Sequence, residues 1–197
     1  MFTGIIETTG IVQEVITIGK NKSFWIGSSL SKEFKVDQSV SHNGVCLTVE
    51  EIKDQNHRVT AIDETLKKTD LGHWKSGSII NIERCLPING RLDGHFVQGH
   101  VDTTGKCIQR TENAGSWEYV IEFPEKFAEL IIEKGSICVN GISLTAFDVG
   151  PNHFKVAIIP YTFEHTNIKE IQPGSLVNLE FDMLGKYLIR KLSLAEK

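Results

Sequence analysis

The sequence predicts an all-β fold made of two similar domains in tandem, each a β-sandwich or a β-barrel. The first observation is a stretch that occurs twice: residues 43–49 are Asn-Gly-Val-Cys-Leu-Thr-Val, and residues 140–146 are Asn-Gly-Ile-Ser-Leu-Thr-Ala. The copies lie 97 residues apart in a chain of 197, so the repeated unit has the length of a domain. The second observation is that short strand patterns, separated by turn residues, fill both halves.

The repeat extends over most of the chain. Residues 77–83 match residues 174–180 at the same offset, whereas residues 8–10 match residues 103–105 at an offset of 95. Two residues are therefore gained in the second copy between positions 105 and 136.

Five strand patterns make up the first half, at residues 1–17, 24–26, 39–52, 58–62 and 78–86. The third is interrupted by Asn43-Gly44, a pair typical of a tight turn with positive φ. After this turn, Cys46 and Thr48 are expected on one face of the strand, where small polar groups could line a pocket. Asp63 is expected to cap a short helix over residues 64–69.

The second half repeats these strands after a linker at residues 87–94, where Pro, Asn-Gly and Asp-Gly are crowded together. Its strand patterns cover residues 118–123, 136–149, 154–159 and 175–181. Residues 124–134 predict a helix, because Pro suits the first helical position and Gly135 follows its end. Phe127, Leu130 and Ile131 would form its buried stripe.

Residues 183–194 belong to neither copy and predict a C-terminal helix. Leu184, Leu188 and Leu192 recur there at helical spacing, with Tyr187 beside them. Such a helix could fold back on its own domain or pack against copies of itself. The predicted division is 1–95 and 96–186 for the two domains and 187–197 for the helix or tail.

Composition excludes several classes of function. Hydrophobic content of 40%, charged content of 23% and a net charge of −4 describe an ordinary globular chain without a nucleic-acid footprint. The amino terminus lacks the features of a signal peptide, and no apolar stretch is long enough to span a bilayer. The four cysteines form no CxxC pair, so reduced thiols in a cytoplasm are expected.

Several side chains are candidates for chemistry, and each has an ordinary structural explanation. Ser143 stands where Cys46 stands in the first copy, which fits a neutral exchange of small residues or two related pockets. Neither lies in a GxSxG motif or has an evident His–Asp partner, so nucleophilic catalysis is only weakly supported. His95 and His100 would point to opposite faces of a strand, which argues against one shared metal.

Charged candidates also have plain alternatives. Lys134 could be a cation at a helix end, and Asp182 a solvated charge after the last strand. Glu83 and Glu180 match across the copies and are expected to serve the barrels rather than chemistry.

Four motifs resemble the riboflavin synthase family of the alpha-chain type. They are the opening Met-Phe-Thr-Gly-Ile, the paired Asn-Gly-x-[Cys/Ser]-Leu-Thr, residues 94–102 (Gly-His-Phe-Val-Gln-Gly-His-Val-Asp) and residues 159–166 (Ile-Pro-Tyr-Thr-Phe-Glu-His-Thr). The resemblance covers nearly the whole chain in order, and the combination is specific although each motif alone would be weak.

The resemblance implies two six-stranded Greek-key barrels and a C-terminal helix that joins three subunits into a homotrimer. The implied reaction is the last step of riboflavin biosynthesis, a dismutation of two 6,7-dimethyl-8-ribityllumazine molecules. One donates a four-carbon unit to the other, which gives riboflavin and 5-amino-6-ribitylaminouracil without cofactor or metal. Lumazine synthase is a further partner that the resemblance suggests, and neither nucleic acid nor membrane is expected.

The resemblance also implies site residues, carried over by position. The contacts expected in the first barrel are Gly4, Ile5, Ile6, Cys46, Leu47, Thr48, Thr60, Ala61, Ile62, Asp63, Glu64 and Thr65. Those expected in the second are Gly99, His100, Val101, Lys134, Ser143, Leu144, Thr145, Ala157, Ile158, Ile159, Pro160, Tyr161 and Thr162.

The implied catalytic candidates are His100, Ser143, Cys46 and Asp182, with His95 in support. His100 is expected to carry the proton, and Ser143 with Cys46 to activate the nucleophile or water. Asp182 is expected to orient a neighbour or the ribityl chain.

Three residues depart from the family pattern: Asn140 replaces an expected Asp, which argues against a base at that position, and Tyr161 and Phe163 are expected to change the pocket width. The main rival is an antenna protein of the same superfamily that holds a lumazine without turnover. A nucleic-acid-binding barrel is a third alternative, but the chain lacks a basic stripe with interleaved aromatic residues. The second half favours the enzyme, because it keeps Lys134, Ser143 and Thr145 in place.

Overall fold

The computed structural model describes residues 1–195 and contains two closed barrels, each of six antiparallel strands. The N-barrel comprises β1 (Thr8–Ile18), β2 (Asn21–Gly27), β3 (Ser39–His42), β4 (Val45–Lys53), β5 (Asn56–Ala61) and β6 (Ile79–Arg84). The C-barrel comprises β7 (Thr103–Asn113), β8 (Ser116–Glu122), β9 (Ser136–Val139), β10 (Ile142–Phe147), β11 (His153–Ile158) and β12 (Leu176–Phe181). The predicted all-β class and duplicated barrel are therefore confirmed.

The strand order is the same in both barrels. It runs β1-β2-β5-β4-β3-β6 in the first and β7-β8-β11-β10-β9-β12 in the second, which is a Greek-key arrangement. Each first strand carries a bulge at the matching place, after Val12 in β1 and after Cys107 in β7. The two extra residues of the second copy lie between β8 and β9, within the interval that the change of offset predicted.

Two short helices occupy matching places after β5 and β11, α1 (Asp63–Lys68) and α2 (Pro160–His165). The prediction that Asp63 caps α1 was wrong, because Ile62 is the N-cap residue and makes no side-chain cap. Asp63 is the first helical residue instead, and its carboxylate pairs with Lys67 one turn later.

The helix predicted over residues 124–134 was also wrong. A 3₁₀ helix covers only Glu125–Leu130, and Ile131 is then buried at 6% exposure. Lys134 has a φ of 61°, and its backbone N–H donates to the Ala146 carbonyl at 2.9 Å. The segment ends early because it must turn to pair with β10, which a continuous helix would prevent.

The C-terminal helix α3 (Met183–Ala195) begins with a cap from Asp182, whose Oδ1 accepts the Leu184 N–H at 3.0 Å. Its apolar side chains remain exposed, namely Leu184, Tyr187, Leu188, Leu192 and Leu194. The last two residues of the predicted tail, 196 and 197, lie outside the described residues. Among residues 1–195, no helix has the length and apolarity needed to cross a membrane.

The two barrels meet where the Asn43-Gly44 and Asn140-Gly141 turns lie back to back. A Cβ added to Gly44 would come within 2.7 Å of the Gly141 nitrogen, so only glycine allows this approach. Asn43 and Asn140 both have a φ of 48° and are buried. Asn140 is therefore a structural turn residue, which agrees with the expectation that it is not a base.

Buried asparagines connect the barrels with near-perfect symmetry. Asn81 Nδ2 donates to the Asn140 carbonyl at 2.9 Å, and Asn178 Nδ2 donates to the Asn43 carbonyl at 2.9 Å. Because buried amides are costly unless hydrogen-bonded, these contacts fix how the two barrels sit against each other.

Two candidate ligand pockets

The repeated motif places one strand at the edge of each pocket, β4 in the N-barrel and β10 in the C-barrel. On β4, Leu47 and Val49 face the core while Cys46 and Thr48 are turned away from it, as the alternating pattern predicted. On β10, Ser143 and Thr145 take the corresponding positions. The two small polar residues therefore lie at matching places in the two barrels.

The segments before the first strands cross over to the opposite barrel. We call residues 1–7 the first leader and residues 96–102 the second leader. The Gly4 carbonyl of the first leader accepts the Ser143 N–H at 2.8 Å, and the Gly99 carbonyl of the second accepts the Cys46 N–H at 2.8 Å. The leaders pair with each other through two hydrogen bonds between Phe2 and Val97.

This crossing corrects the assignment of residues to barrels. Gly4, Ile5 and Ile6 were expected at the first barrel, but Gly4 contacts Ser143 and Ile6 packs against the C-barrel core. Residues 99–101 were expected at the second barrel, but they line the N-barrel pocket. Sequence reasoning assigned each leader to the barrel that follows it in the chain. No sequence pattern indicated that each leader contacts the other barrel.

The C-barrel pocket has a volume of about 500 Å³. Its lining comprises Lys134, Ser143, Leu144, Thr145, Phe147, Ala157, Ile159 and Thr162. The Lys134 Nζ atom lies 5.1 Å from the centre of the Phe147 ring, so a cation and an aromatic face stand together at one wall. Sequence reasoning missed Phe147, although the period of two from Ser143 and Thr145 indicates that face.

Ser143 has a histidine partner. His95 Nδ1 lies 2.6 Å from Ser143 Oγ, and the His95 backbone N–H donates to the Thr3 carbonyl at 3.1 Å. Burial lowers the pKa of His95, while the nearby Asp182 carboxylate opposes that shift. The expectation that Ser143 lacks a His partner was therefore wrong, because the linker returns His95 to a strand 48 residues away.

A neutral His95 can accept the Ser143 hydroxyl proton, which makes this pair the strongest proton-transfer arrangement at the C-barrel pocket. Asp182 contributes to the field around His95, and its own side chain caps α3. Asp182 is therefore more than a solvated charge at the end of a strand.

The N-barrel pocket is smaller, about 250 Å³, and more polar at its mouth. Its lining comprises Val45, Cys46, Glu64, Thr65, Lys68, Thr69, Gly99, His100 and Val101. Lys68 Nζ donates to Glu64 Oε1 at 2.8 Å, and this contact lowers the pKa of Glu64 and raises that of Lys68. Burial raises the pKa of Cys46, so its thiol stays protonated at neutral pH.

The five catalytic candidates are thus divided between two pockets. His100 and Cys46 lie at the N-barrel pocket, whereas Ser143 and His95, with Asp182 near by, lie at the C-barrel pocket. Lys68 was missed because its match in the second copy is His165, so the repeat gave no indication of it.

The other predicted contacts vary in accessibility. Leu47, Ala61 and Ile158 are buried in the barrel cores. Thr60 Oγ1 donates to Glu50 Oε2 at 2.9 Å on β5. The remaining predicted positions, Ile62, Asp63, Pro160 and Tyr161, lie at the starts of α1 and α2.

The two atypical aromatic residues stack on neighbours within the C-barrel. The Tyr161 ring lies 4.1 Å from that of His165, and the Phe163 ring lies 3.7 Å from that of Trp117. Within residues 1–195, no three His, Cys, Asp or Glu side chains converge so that they could hold a metal ion.

Comparison with known proteins agrees with this architecture. Residues 3–85 and residues 98–182 each match the family model of the lumazine binding domain. Riboflavin synthase from Actinobacillus pleuropneumoniae is 41% identical over 189 residues, covering 95% of this chain and 88% of that protein. Riboflavin synthase from Bacillus amyloliquefaciens is 36% identical over 198 residues, covering 100% of this chain and 92% of that protein.

Solved structures show the same fold. LumP complexed with riboflavin has a TM-score of 0.86 at 22% identity, covering 92% of this chain and 99% of that chain. LumP complexed with 6,7-dimethyl-8-(1'-D-ribityl) lumazine has a TM-score of 0.84 at 20% identity, with the same coverage. At this identity the likeness concerns the fold alone.

The duplicated barrel and its paired pockets define a protein with two lumazine binding domains. Both pockets retain the small polar residue of the repeated motif. Full-length similarity then identifies the group more narrowly: the chain belongs to the riboflavin synthase family.

Proposed function

We propose that this chain converts two molecules of 6,7-dimethyl-8-ribityllumazine into riboflavin and 5-amino-6-ribitylaminouracil. The observation that carries the proposal is the pair of related pockets, in which Cys46 and Ser143 occupy matching strand positions. A reaction between two identical molecules needs two similar sites. The membership of the riboflavin synthase family supports the same chemistry.

The first chemical task is removal of a proton from the acidic 7-methyl group of one lumazine. A neutral His95 can take the hydroxyl proton of Ser143 while the Ser143 oxygen takes the proton from the methyl group, and burial keeps the imidazole neutral. His100 is the proton carrier proposed at the other pocket, where it lies beside Cys46. Backbone N–H groups and Lys134 would stabilise the negative charge that forms on the heterocycle.

Two carbon–carbon bonds then form between the methyl carbons of one lumazine and the two methyl-bearing ring carbons of the other. The two carbon–nitrogen bonds that hold those ring carbons in the donor break, and the protons lost from the methyl groups end on the freed nitrogens. Four carbons stay with the acceptor, so the products are one riboflavin and one pyrimidine, with no net oxidation or reduction. Holding both rings in one orientation removes a large entropic barrier, since well-oriented reactants reach effective molarities on the order of 10⁵–10⁸ M.

The proposal includes an assembly. The exposed leucines of α3 offer an apolar face for self-association. The membership of the family suggests a homotrimer in which the N-barrel pocket of one subunit faces the C-barrel pocket of the next. Association with lumazine synthase, which would deliver the substrate, and a cytoplasmic location complete the proposal.

The direct test is incubation of the purified chain with the lumazine as sole substrate, followed by the fluorescence of riboflavin. The expected result is one riboflavin for every two lumazines consumed, with no added cofactor. If the lumazine binds tightly and no riboflavin forms, the chain is an antenna protein and the proposed reaction is rejected.

A further inference from the structure

Each barrel buries one glutamate on its last strand, at matching positions. Glu83 on β6 is 3% exposed and Glu180 on β12 is 2% exposed. A buried carboxylate is costly unless donors surround it, so two matching buried carboxylates in one chain need a reason. Neither glutamate belongs to the lining of the pocket in its own barrel.

The donors come from the backbone of the leaders. Glu180 accepts the N–H groups of Gln98 at 2.6 Å and of Gly99 and His100 at 2.9 Å each. Glu83 accepts the Thr3 N–H and the Thr3 hydroxyl at 2.7 Å each. Its second oxygen accepts the Gly4 N–H at 3.0 Å, so two backbone donors match across the copies. The third differs, because the Ile5 N–H donates to the Thr3 hydroxyl rather than to Glu83.

The held residues reach into the opposite barrel. The N–H of Gly4 is bound by Glu83, and the carbonyl of Gly4 binds Ser143 in the C-barrel. The N–H of Gly99 is bound by Glu180, and the carbonyl of Gly99 binds Cys46 in the N-barrel.

There is no room for a side chain at either place where a leader contacts the opposite barrel. A Cβ on Gly4 would lie 2.6 Å from the Ser143 Cβ, and a Cβ on Gly99 would lie 2.6 Å from the Cys46 Cβ. A small movement of either leader would therefore displace the strand that lines the other barrel's pocket.

We propose that Glu83 and Glu180 are positioning residues, each of which sets the geometry of the pocket in the opposite barrel. Glu83, in the N-barrel, holds the C-barrel pocket around Ser143. Glu180, in the C-barrel, holds the N-barrel pocket around Cys46. The ligand-binding part of this inference rests on the proposed function, whereas the mechanical part does not.

The test compares Glu83→Gln with Glu180→Gln in the full chain. Glutamine keeps one acceptor oxygen and turns an NH₂ group towards backbone N–H donors, so the leader loses its fixed position. Hydrogen exchange of the Cys46 and Ser143 backbone amides reports whether each leader still binds the opposite barrel, and it needs no ligand. In Glu180→Gln the Cys46 N–H should exchange at least about 10-fold faster while the Ser143 N–H keeps its protection, and Glu83→Gln should do the reverse.

Binding of riboflavin, followed by backbone amide shifts at residues 46–48 and 143–145, provides the second readout. Glu180→Gln should weaken binding by about 10-fold at residues 46–48 alone, and Glu83→Gln at residues 143–145 alone. Each variant is the matched control for the other, since both remove the same charge from the same barrel position. Thr3→Val removes the hydroxyl that donates to Glu83 and accepts the Ile5 N–H, keeps the two backbone donors of Glu83, and serves if Glu83→Gln does not fold.

Faster hydrogen exchange only in the barrel opposite to the substituted glutamate supports the inference. Effects confined to the glutamate's own barrel, equal effects on both amides, or no effect in either variant overturn it. If the unmodified chain binds riboflavin at neither pocket, the proposed function fails, while the exchange rates still decide the positioning role.

Discussion

At the scale of single residues, the two pockets share a plan and differ in chemistry. Ser143 has His95 as a hydrogen-bond partner, whereas burial keeps Cys46 as a protonated thiol with His100 in the same lining. His95 directly follows the linker and has no counterpart in the first copy. The duplication therefore provides two sites of related shape, and the linker makes them unequal.

Replacement of Ser143 or His100 by Ala should lower kcat by about 100-fold with the fold retained, because each would remove a proton-transfer group. His95→Gln should lower kcat to a similar degree by removing the acceptor for the Ser143 proton. Steady-state kinetics with the lumazine provides the measurement, and Ser116→Ala at the first residue of β8 is the control. Near-normal turnover in a variant would remove that residue from the mechanism.

A second residue-scale feature is a buried histidine pair in the N-barrel. His42 Nε2 lies 2.8 Å from His57 Nε2, and His57 Nδ1 lies 2.8 Å from Ser31 Oγ. Burial lowers the pKa of His57 to about 4, and burial with the neighbouring His57 holds the pKa of His42 well below its usual value. Both rings are therefore neutral in the folded protein at pH 7.

This pair predicts acid sensitivity. The folded pKa lies below the unfolded value of 6.5, so stability is full above that pH and is lost as the pH falls towards 4. Urea unfolding should show a decrease of about 2 kcal/mol between pH 7 and pH 5 from His57 alone.

The matched control comes from the repeat. Val139 and Phe154 fill the corresponding positions of the C-barrel, so His42→Val with His57→Phe should flatten the pH dependence. The exposed His165→Gln should leave it unchanged. An equal pH dependence in the double variant would show that other groups control acid unfolding.

At the scale of elements, α3 carries a row of exposed apolar side chains. Leu188 is 59% exposed and Leu192 is 55% exposed, one turn apart on the same side. The spacing of these leucines predicted the helix, and only its partner stays a proposal.

Leu188→Glu with Leu192→Glu should convert the proposed homotrimer into monomers, because two buried charges in an interface are strongly unfavourable. Sedimentation velocity measures the change, and far-UV circular dichroism should show intact barrels. Ser193→Glu adds charge to the same helix and is the control. A monomeric unmodified chain, or a double variant that still forms trimers, would contradict the role of α3.

The elements also show what sequence can predict. Strands and tight turns followed from local patterns, as at Asn43-Gly44, and the repeat fixed the matching of β4 with β10. The helix prediction after Pro124 failed because it used only the local pattern, whereas the hydrogen bond between Lys134 and the distant Ala146 decided the structure of the segment. The contact of each leader with the opposite barrel was not predicted for the same reason, since contacts such as Gly4 with Ser143 have no local sequence pattern.

At the scale of the whole molecule, the interface between barrels is polar and nearly symmetric. The symmetry is broken at one place: Asp70 occupies the position that Asn167 takes in the second copy. Asn178 Nδ2 donates to Asp70 Oδ1 at 2.7 Å, and Asn81 Nδ2 donates to Asn167 Oδ1 at 2.8 Å. Burial raises the pKa of Asp70, and the amide donors oppose that shift.

The loss of unfolding free energy on removing these amides should differ between the two residues. Asn81→Ala should cost about 2–3 kcal/mol, because two buried acceptors lose their donor. Asn178→Ala should cost more, since the acceptor left behind includes the Asp70 carboxylate rather than a neutral amide. Urea unfolding at pH 7 measures both, with Asn152→Ala in an exposed turn as control. Equal costs would show that Asp70 is protonated in the folded chain.

The molecule as a whole offers two pockets that we propose take the same flat ligand. The most direct measurement is calorimetric titration with a lumazine analogue whose 7-methyl group is replaced by an oxo group, so that binding occurs without reaction. This two-pocket arrangement predicts two molecules bound per chain, one of which is lost selectively in a Lys134→Ala variant. One molecule bound per unmodified chain would contradict it.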